Sequence, residues 1–440
     1  MLILTLVLAL NAIKGSASAS NFLEVIPGDV SQIPLCQEQA VLQCQRVKID
    51  VDSLFYGRDL TFPLGFTLVK KYEFPGSSVG SRVFSYEAAD GCSALMVVDK
   101  NKMISGSIDL ASGRSFSIDP CGNDHQIWRE MNTTRNRRDE ENRYKTFSTL
   151  NRSGNYRRKN VFRQGVAKIS LKIYYTKELK AKVRDINPVL EFVLAEANSI
   201  MKNSELAIVF ELLCPEQIAI SENAHSTSRT FFLAVVRSKR TTDALYDSAD
   251  LAVVLTSKDF DNFCGEAATI NVLNSEFQLF DDSYRLAWVS YKCGRDTFTH
   301  EIGHLLGAWH DRATVGCNAQ CRNFPYGYRV PASRLHTVMA YGNNQYTTPV
   351  RRFSSPFLFF SGQRLGSFEN DNRRKLMITS FEVAALGNEN KKDCKGAQAQ
   401  CDDIATSYQC NWLKRRGHCR AVSFYFRYTE RYCKNSCDRC

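Results

Sequence analysis

The stretch Thr299-His300-Glu301-Ile302-Gly303-His304-Leu305-Leu306-Gly307-Ala308-Trp309-His310-Asp311 decides how the rest of the 440-residue chain is read. In a helix, positions i and i+4 share a face, so the imidazoles of His300 and His304 can grip one ion while Glu301 projects beside it. Gly307 lets the backbone leave the helix with positive φ, and the turn brings His310 round as a third nitrogen ligand. A fourth position is left for water. An open three-histidine site is of the catalytic kind, because structural zinc sites are closed by four protein ligands. Zinc is the expected cofactor, with Glu301 as the general base that takes a proton from the attacking water and returns it to the leaving amine. Whether calcium is bound as well is left open, with no residue pattern in its support.

Around this stretch the hydrophobic pattern is that of an α/β unit. Ala167 to Tyr175 alternates as a strand, and Val183 to Met201 carries apolar residues at helical spacing. Leu206 to Leu213, Ala249 to Leu255 and Ala287 to Tyr291 are continuous apolar runs suited to buried strands. Strands alternating with helices predict a mostly parallel twisted sheet layered with helices, one of them the active-site helix. A further helix is expected from Asp371 to Leu386, with Gly387 as its C-cap. Before residue 132 the chain instead shows short period-2 segments, such as 60–66 and 103–110, broken by Gly, Asp or Ser, and this predicts a separate β-rich unit.

HEIGHLLGAWHD resembles the extended zinc signature of metzincin endopeptidases, and Asp311 after the third histidine resembles their reprolysin (adamalysin) branch. Thr337-Val338-Met339-Ala340-Tyr341 is similar to the family's Met-turn, as are the flanking phrases from Pro325 to Pro331 and from Phe353 to Pro356 to secreted reprolysin-like peptidases. The resemblance spans roughly residues 166 to 390. It implies zinc on His300, His304 and His310, Glu301 as general base, and Met339 packed beneath the ion. Tyr341 departs from the branch, which usually has Pro there. A phenol at this position either donates a hydrogen bond to the oxyanion or lines the primed-side pocket. The resemblance further implies protein or peptide substrates that dock as an extended strand along an edge strand, expected here between Cys264 and Leu273.

The chain's margins read as secretion and processing signals. The apolar run Leu2 to Leu10 followed by Gly15-Ser16-Ala17-Ser18-Ala19 predicts a signal peptide over residues 1–19, and sixteen cysteines suit an oxidising route to a secreted, extracellular protein. No other apolar run is long enough to suggest a transmembrane segment. Near residue 135 the composition turns polar and basic, and Arg135-x-Arg137-Arg138 has the spacing that a proprotein convertase reads. This divides the chain into a propeptide (20–138), a linker (139–165), a zinc metalloprotease domain (166–394) and a cysteine-rich tail (401–440). Asn132 and Asn151 head N-x-[ST] glycosylation acceptors flanking the same stretch. Lys+Arg and Asp+Glu balance over residues 1–138, so the whole formal +11 lies beyond Arg138. That excess points to acidic glycans, anionic surfaces or acidic substrates; secretion argues against nucleic acid.

The remaining cysteines suggest staples. Cys264 with Cys293 and Cys317 with Cys321 would brace the cleft, and Cys214 with Cys394 would close the domain. Cys121 stands among Cys36, Cys44 and Cys92 in a segment that resembles a reprolysin propeptide. It is either a latency thiolate at the fourth zinc position or half of a disulfide. The tail resembles a ShK-type toxin (ShKT) module, which implies the pairs Cys401–Cys440, Cys410–Cys433 and Cys419–Cys437. Forty residues need such bridges because they cannot support themselves on a core. The rival to a secreted zinc metalloendopeptidase is therefore a venom- or toxin-like binding protein whose ShKT-like module engages a channel or receptor. An intact Glu301 speaks against it.

Overall fold

The computed structural model describes residues 22–131 and 165–387 apart from short gaps, the longest of which are 242–248, 268–284 and 318–323. The proposed signal cut, Asn132, Arg138, Asn151, Cys321, Cys394 and all six tail cysteines lie outside the described residues.

The N-terminal unit is one antiparallel sheet of nine strands. These are β1 (Leu23–Ile26), β2 (Val41–Ile49), β3 (Asp59–Thr61), β4 (Thr67–Pro75), β5 (Arg82–Glu87), β6 (Ser93–Val98), β7 (Ile104–Asp109), β8 (Ser115–Cys121) and β9 (His125–Met131). Their spatial order is β1-β2-β9-β8-β7-β6-β5-β4-β3, so most neighbours in space are neighbours in sequence. One face closes over a core that includes Phe22, Phe62, Phe84, Met96, Phe116 and Trp128. Cys36 and Cys44 are bridged beside it. Cys121 ends β8, paired with His125 of β9.

The second unit is built on a mixed sheet of β10 (Ala167–Tyr175), β11 (Ile208–Leu212), β12 (Glu216–Gln217), β13 (Leu251–Thr256), β14 (Gly265–Ala267) and β15 (Leu286–Ser290). The order is β11-β10-β13-β15-β14, with β12 beside the end of β10. All pairs are parallel except β14 on β15, with registers such as Leu171 to Leu251 and Ala252 to Leu286. Every residue of β13 and β15 is buried, because the sheet is covered on both faces. One face packs against helices α1 (Asn187–Asn203), α3 (Asp296–Leu305) and α4 (Asn372–Val383). The other packs against α2 (Ser228–Arg237), where Phe231, Phe260 and Trp288 meet edge-to-face and stacked.

Two helix ends differ from expectation. The segment read as one helix from Val183 begins at Asn187, with Pro188 in the first turn, because Val183 instead caps the short helix Lys177–Lys182. The last helix stops at Val383 and not at Leu386. The Gly387 amide donates to Asp250 Oδ1 at 2.7 Å, so its backbone serves a tertiary contact and not a cap. The antiparallel edge strand β14 lies in the interval expected for the substrate-docking edge, and Cys264 is bridged to Cys293. Cys214 and Cys317 are also disulfide-bonded.

Candidate metal centre and active site

Helix α3 carries the first two histidines. Phe298, Ile302 and Leu305 anchor it in the core, and its polar residues are buried as well: His300 3%, Glu301 1% and His304 4% exposed. The helix ends as its glycine predicts. Gly307 has φ +87°, its amide donates to the His304 carbonyl at 2.8 Å, and the Ala308 amide donates to the Gly303 carbonyl at 2.9 Å. These two bonds are a Schellman closure, which needs a left-handed residue where glycine alone is unstrained. The reversal delivers His310.

The three imidazoles converge through one kind of atom. His310 Nε2 lies 3.0 Å from His300 Nε2 and 2.9 Å from His304 Nε2. His300 Nδ1 sits 2.8 Å from the Val338 carbonyl and His304 Nδ1 2.9 Å from the Ala308 carbonyl. A carbonyl can only accept, so both Nδ1 atoms carry the hydrogen and both Nε2 atoms present bare lone pairs to the centre. Lone pairs gathered at such spacing repel unless a cation lies among them. The donor set, three neutral imidazole nitrogens, therefore fits a zinc ion. Among the described residues these three histidines are the group that could hold a metal.

Two glycines make room for the remaining parts. A Cβ on Gly303 would stand 2.5 Å from Met339 Sδ and 3.0 Å from Phe353 Cε1, so the bare helix face lets Met339 pack beneath the histidines. A Cβ on Gly265 of β14 would stand 2.5 Å from Glu301 Oε1, so the carboxyl group lies against the edge strand itself. Tyr341 covers the other side. Its ring centroid is 4.4 Å from that of His310 and 6.0 Å from that of His300, nearly parallel to the latter at 13°.

Sequence reasoning took Asp311 only as a branch marker and missed Arg329 altogether. Buried Asp311 accepts the Tyr341 amide on Oδ2 at 3.2 Å and the Thr314 hydroxyl at 2.6 Å. Arg329 pairs with Asp311 at 3.3 Å and donates from Nε to the Tyr341 carbonyl at 3.0 Å. The Tyr341 peptide is thus held at both ends by one ion pair, which ties the residue after the third histidine to the segment after Met339. The pair joins positions eighteen apart across a turn, and no local pattern announces it.

Residues 189–311 are matched by the model of the reprolysin-like metallo-peptidases of family M12B. Over those residues the chain is similar to a reprolysin-like metallopeptidase domain. A peptidyl-Asp metalloendopeptidase of Stenotrophomonas maltophilia (strain R551-3) is 26% identical to it over 321 residues, covering 68% of this chain and 71% of the relative. A peptidyl-Asp metalloendopeptidase of Xanthomonas campestris pv. campestris is 23% identical over 326 residues, covering 71% and 74%. Metalloproteinase-II from Bacteroides fragilis overlays 66% of this chain and 84% of its own with 14% identity and a TM-score of 0.35, too loose to bear on the fold. The metallopeptidase domain makes the chain a peptide hydrolase, with proteins or peptides as its substrates. No helix among the described residues is long and apolar enough to cross a membrane.

Proposed function

We propose that the chain is a secreted zinc metalloendopeptidase, made as a precursor and cut after Arg138. The observation that carries this reading is the convergence of three Nε2 atoms beside Glu301, whose carboxyl group lies against the edge strand. His300, His304 and His310 would hold a zinc ion, which would supply a Lewis acid and lower the pKa of water at the site to about 7. Glu301 accepts the proton of the attacking water and delivers it to the amine that leaves when the peptide bond breaks. Its place against Gly265 puts it where a substrate strand paired with β14 would present a carbonyl. The Tyr341 phenol, steadied by the Asp311–Arg329 pair, donates to the oxygen on which charge develops. Met339 keeps the two helical histidines at a fixed height.

The curated relatives are named for action at peptidyl-Asp bonds, and we carry the same preference to this chain, where the formal +11 beyond Arg138 favours acidic substrates. In the same reading Asn132 and Asn151 are glycosylated, and the ShKT-like tail docks substrate or partner. The test is cleavage of a peptide library by the wild type and by Glu301→Gln under zinc and under chelator. The reading predicts chelator-sensitive cuts enriched at aspartate and absent from the variant. Cuts that survive in Glu301→Gln would refute the assigned base, and cuts without bias toward aspartate would refute the preference.

A further inference from the structure

The N-terminal sheet has two apolar faces. On β5 and β6, Phe84, Ala94, Met96 and Val98 point into the unit's own core, whereas Val83, Leu95 and Val97 belong to the core of the metallopeptidase domain. Val83 and Val97 lie directly opposite each other in the ladder, so this second face is a patch set by strand periodicity. Helix α1 receives it. Thirteen of its seventeen residues are buried, far more than one apolar stripe would bury, because the helix is sandwiched between its own sheet and the N-terminal one.

Two glutamates on this helix, Glu191 and Glu196, are 2% and 1% exposed; Glu191 meets a partner across the junction, and Glu196 shares Arg351 with one. Ser81 donates its hydroxyl to Glu191 Oε2 at 3.1 Å. Arg351 reaches Glu196 at 2.6 Å, Asp109 of β7 at 2.7 Å and the Ser107 hydroxyl at 2.9 Å. Asp296, in the first turn of α3, adds a third carboxylate to the surroundings of that guanidinium. Tyr291, just ahead of α3, donates to Asp119 of β8.

The residue after Arg351 is two hydrogen bonds from the metal centre. The carbonyl of Arg352 accepts the Val338 amide at 3.1 Å, and the carbonyl of Val338 is the acceptor that sets the His300 tautomer. Phe353, next in sequence, lies under Gly303. The segment that orients His300 is therefore anchored to the N-terminal sheet.

We infer that the N-terminal sheet is a permanent part of the working enzyme, retained after the linker is cut, and that Arg351 is a positioning residue that fastens it to the segment orienting His300. The inference rests on processing in the linker as proposed above. Without the sheet, α1 would present the apolar patch to water, and the buried Glu196 and Arg351 would lose Asp109, the kind of broken pair that folded proteins tolerate poorly.

The test is an engineered recognition site for a specific protease within residues 139–165, cut to completion in the full chain and followed by native mass spectrometry and size exclusion. One particle holding both pieces is expected, with zinc retained. Arg351→Ala, cut in the same way, should separate into two pieces and bind zinc at least tenfold more weakly in a chelator competition, with Arg351→Lys partly restoring both. Should Arg351→Ala fail to fold, Asp109→Asn removes the charge on the sheet's side alone and is expected to weaken retention in the same direction. A wild type that falls apart into a folded, zinc-binding metallopeptidase piece would overturn the inference. So would variants that keep both retention and zinc affinity unchanged. Because the cut is engineered, failure here leaves the peptidase reading intact, since a freed domain could still hydrolyse peptides.

Discussion

Glu301→Gln keeps the size of the side chain against Gly265 but removes the basic oxygen. General acid–base groups contribute about 10²–10⁴-fold, so kcat is expected to fall by about that factor with KM and bound zinc little changed, as steady-state kinetics and metal analysis would show. A second residue bears on stability alone. Lys375 on α4 is 7% exposed, and burial pushes its ammonium down to about 8 from 10.5. Its folded pKa is below its unfolded one, so the folded state is penalised in full below about pH 8 and relieved as the pH rises toward 10.5. Lys375→Met is expected to raise Tm at pH 7, corresponding to about 1–3 kcal/mol, and the gain over the wild type should shrink through that window. A constant gain across it would count against a buried charged lysine.

At the scale of elements, the turn after α3 and the segment after Met339 act as one bracket. Gly307→Ala would force a side chain to φ +87°, a strain of about 1–2 kcal/mol. Zinc affinity should fall more than this loss of stability accounts for, because the turn aims His310. Asp311→Asn would leave Arg329 without its charge partner and loosen Tyr341; a lower kcat and a lower Tm at unchanged zinc content are the expected result, read by kinetics beside calorimetry. These elements also divide what was legible in the sequence from what was not. Strands buried on both faces leave continuous apolar runs, so β13 and β15 could be read from hydropathy alone, and β10 from its alternation. The i, i+4 histidines and Gly307 are local and could be read too. The clamp of Asp311 on Arg329 and the fastening of Asp109, Glu196 and Arg351 depend on tertiary register between distant positions, and charge at those positions looks like ordinary surface charge. Gly387 misled because a glycine after a helix is a common cap, while here its amide belongs to Asp250.

At the scale of the whole molecule, the metal centre is assembled from α3, the turn after it and the Met339 segment, so an ion there should hold the folded state together. Binding at a hundredfold excess over Kd stabilises by about 2.7 kcal/mol; stripping with chelator is accordingly expected to lower Tm by several degrees, and zinc to restore it. The most direct measurement is the zinc content of the purified, folded wild type beside folded His304→Ala, by elemental mass spectrometry. The three-imidazole centre predicts one zinc per chain in the wild type and a small fraction of that in the variant. A folded wild type with no zinc, or equal zinc in both, would contradict it.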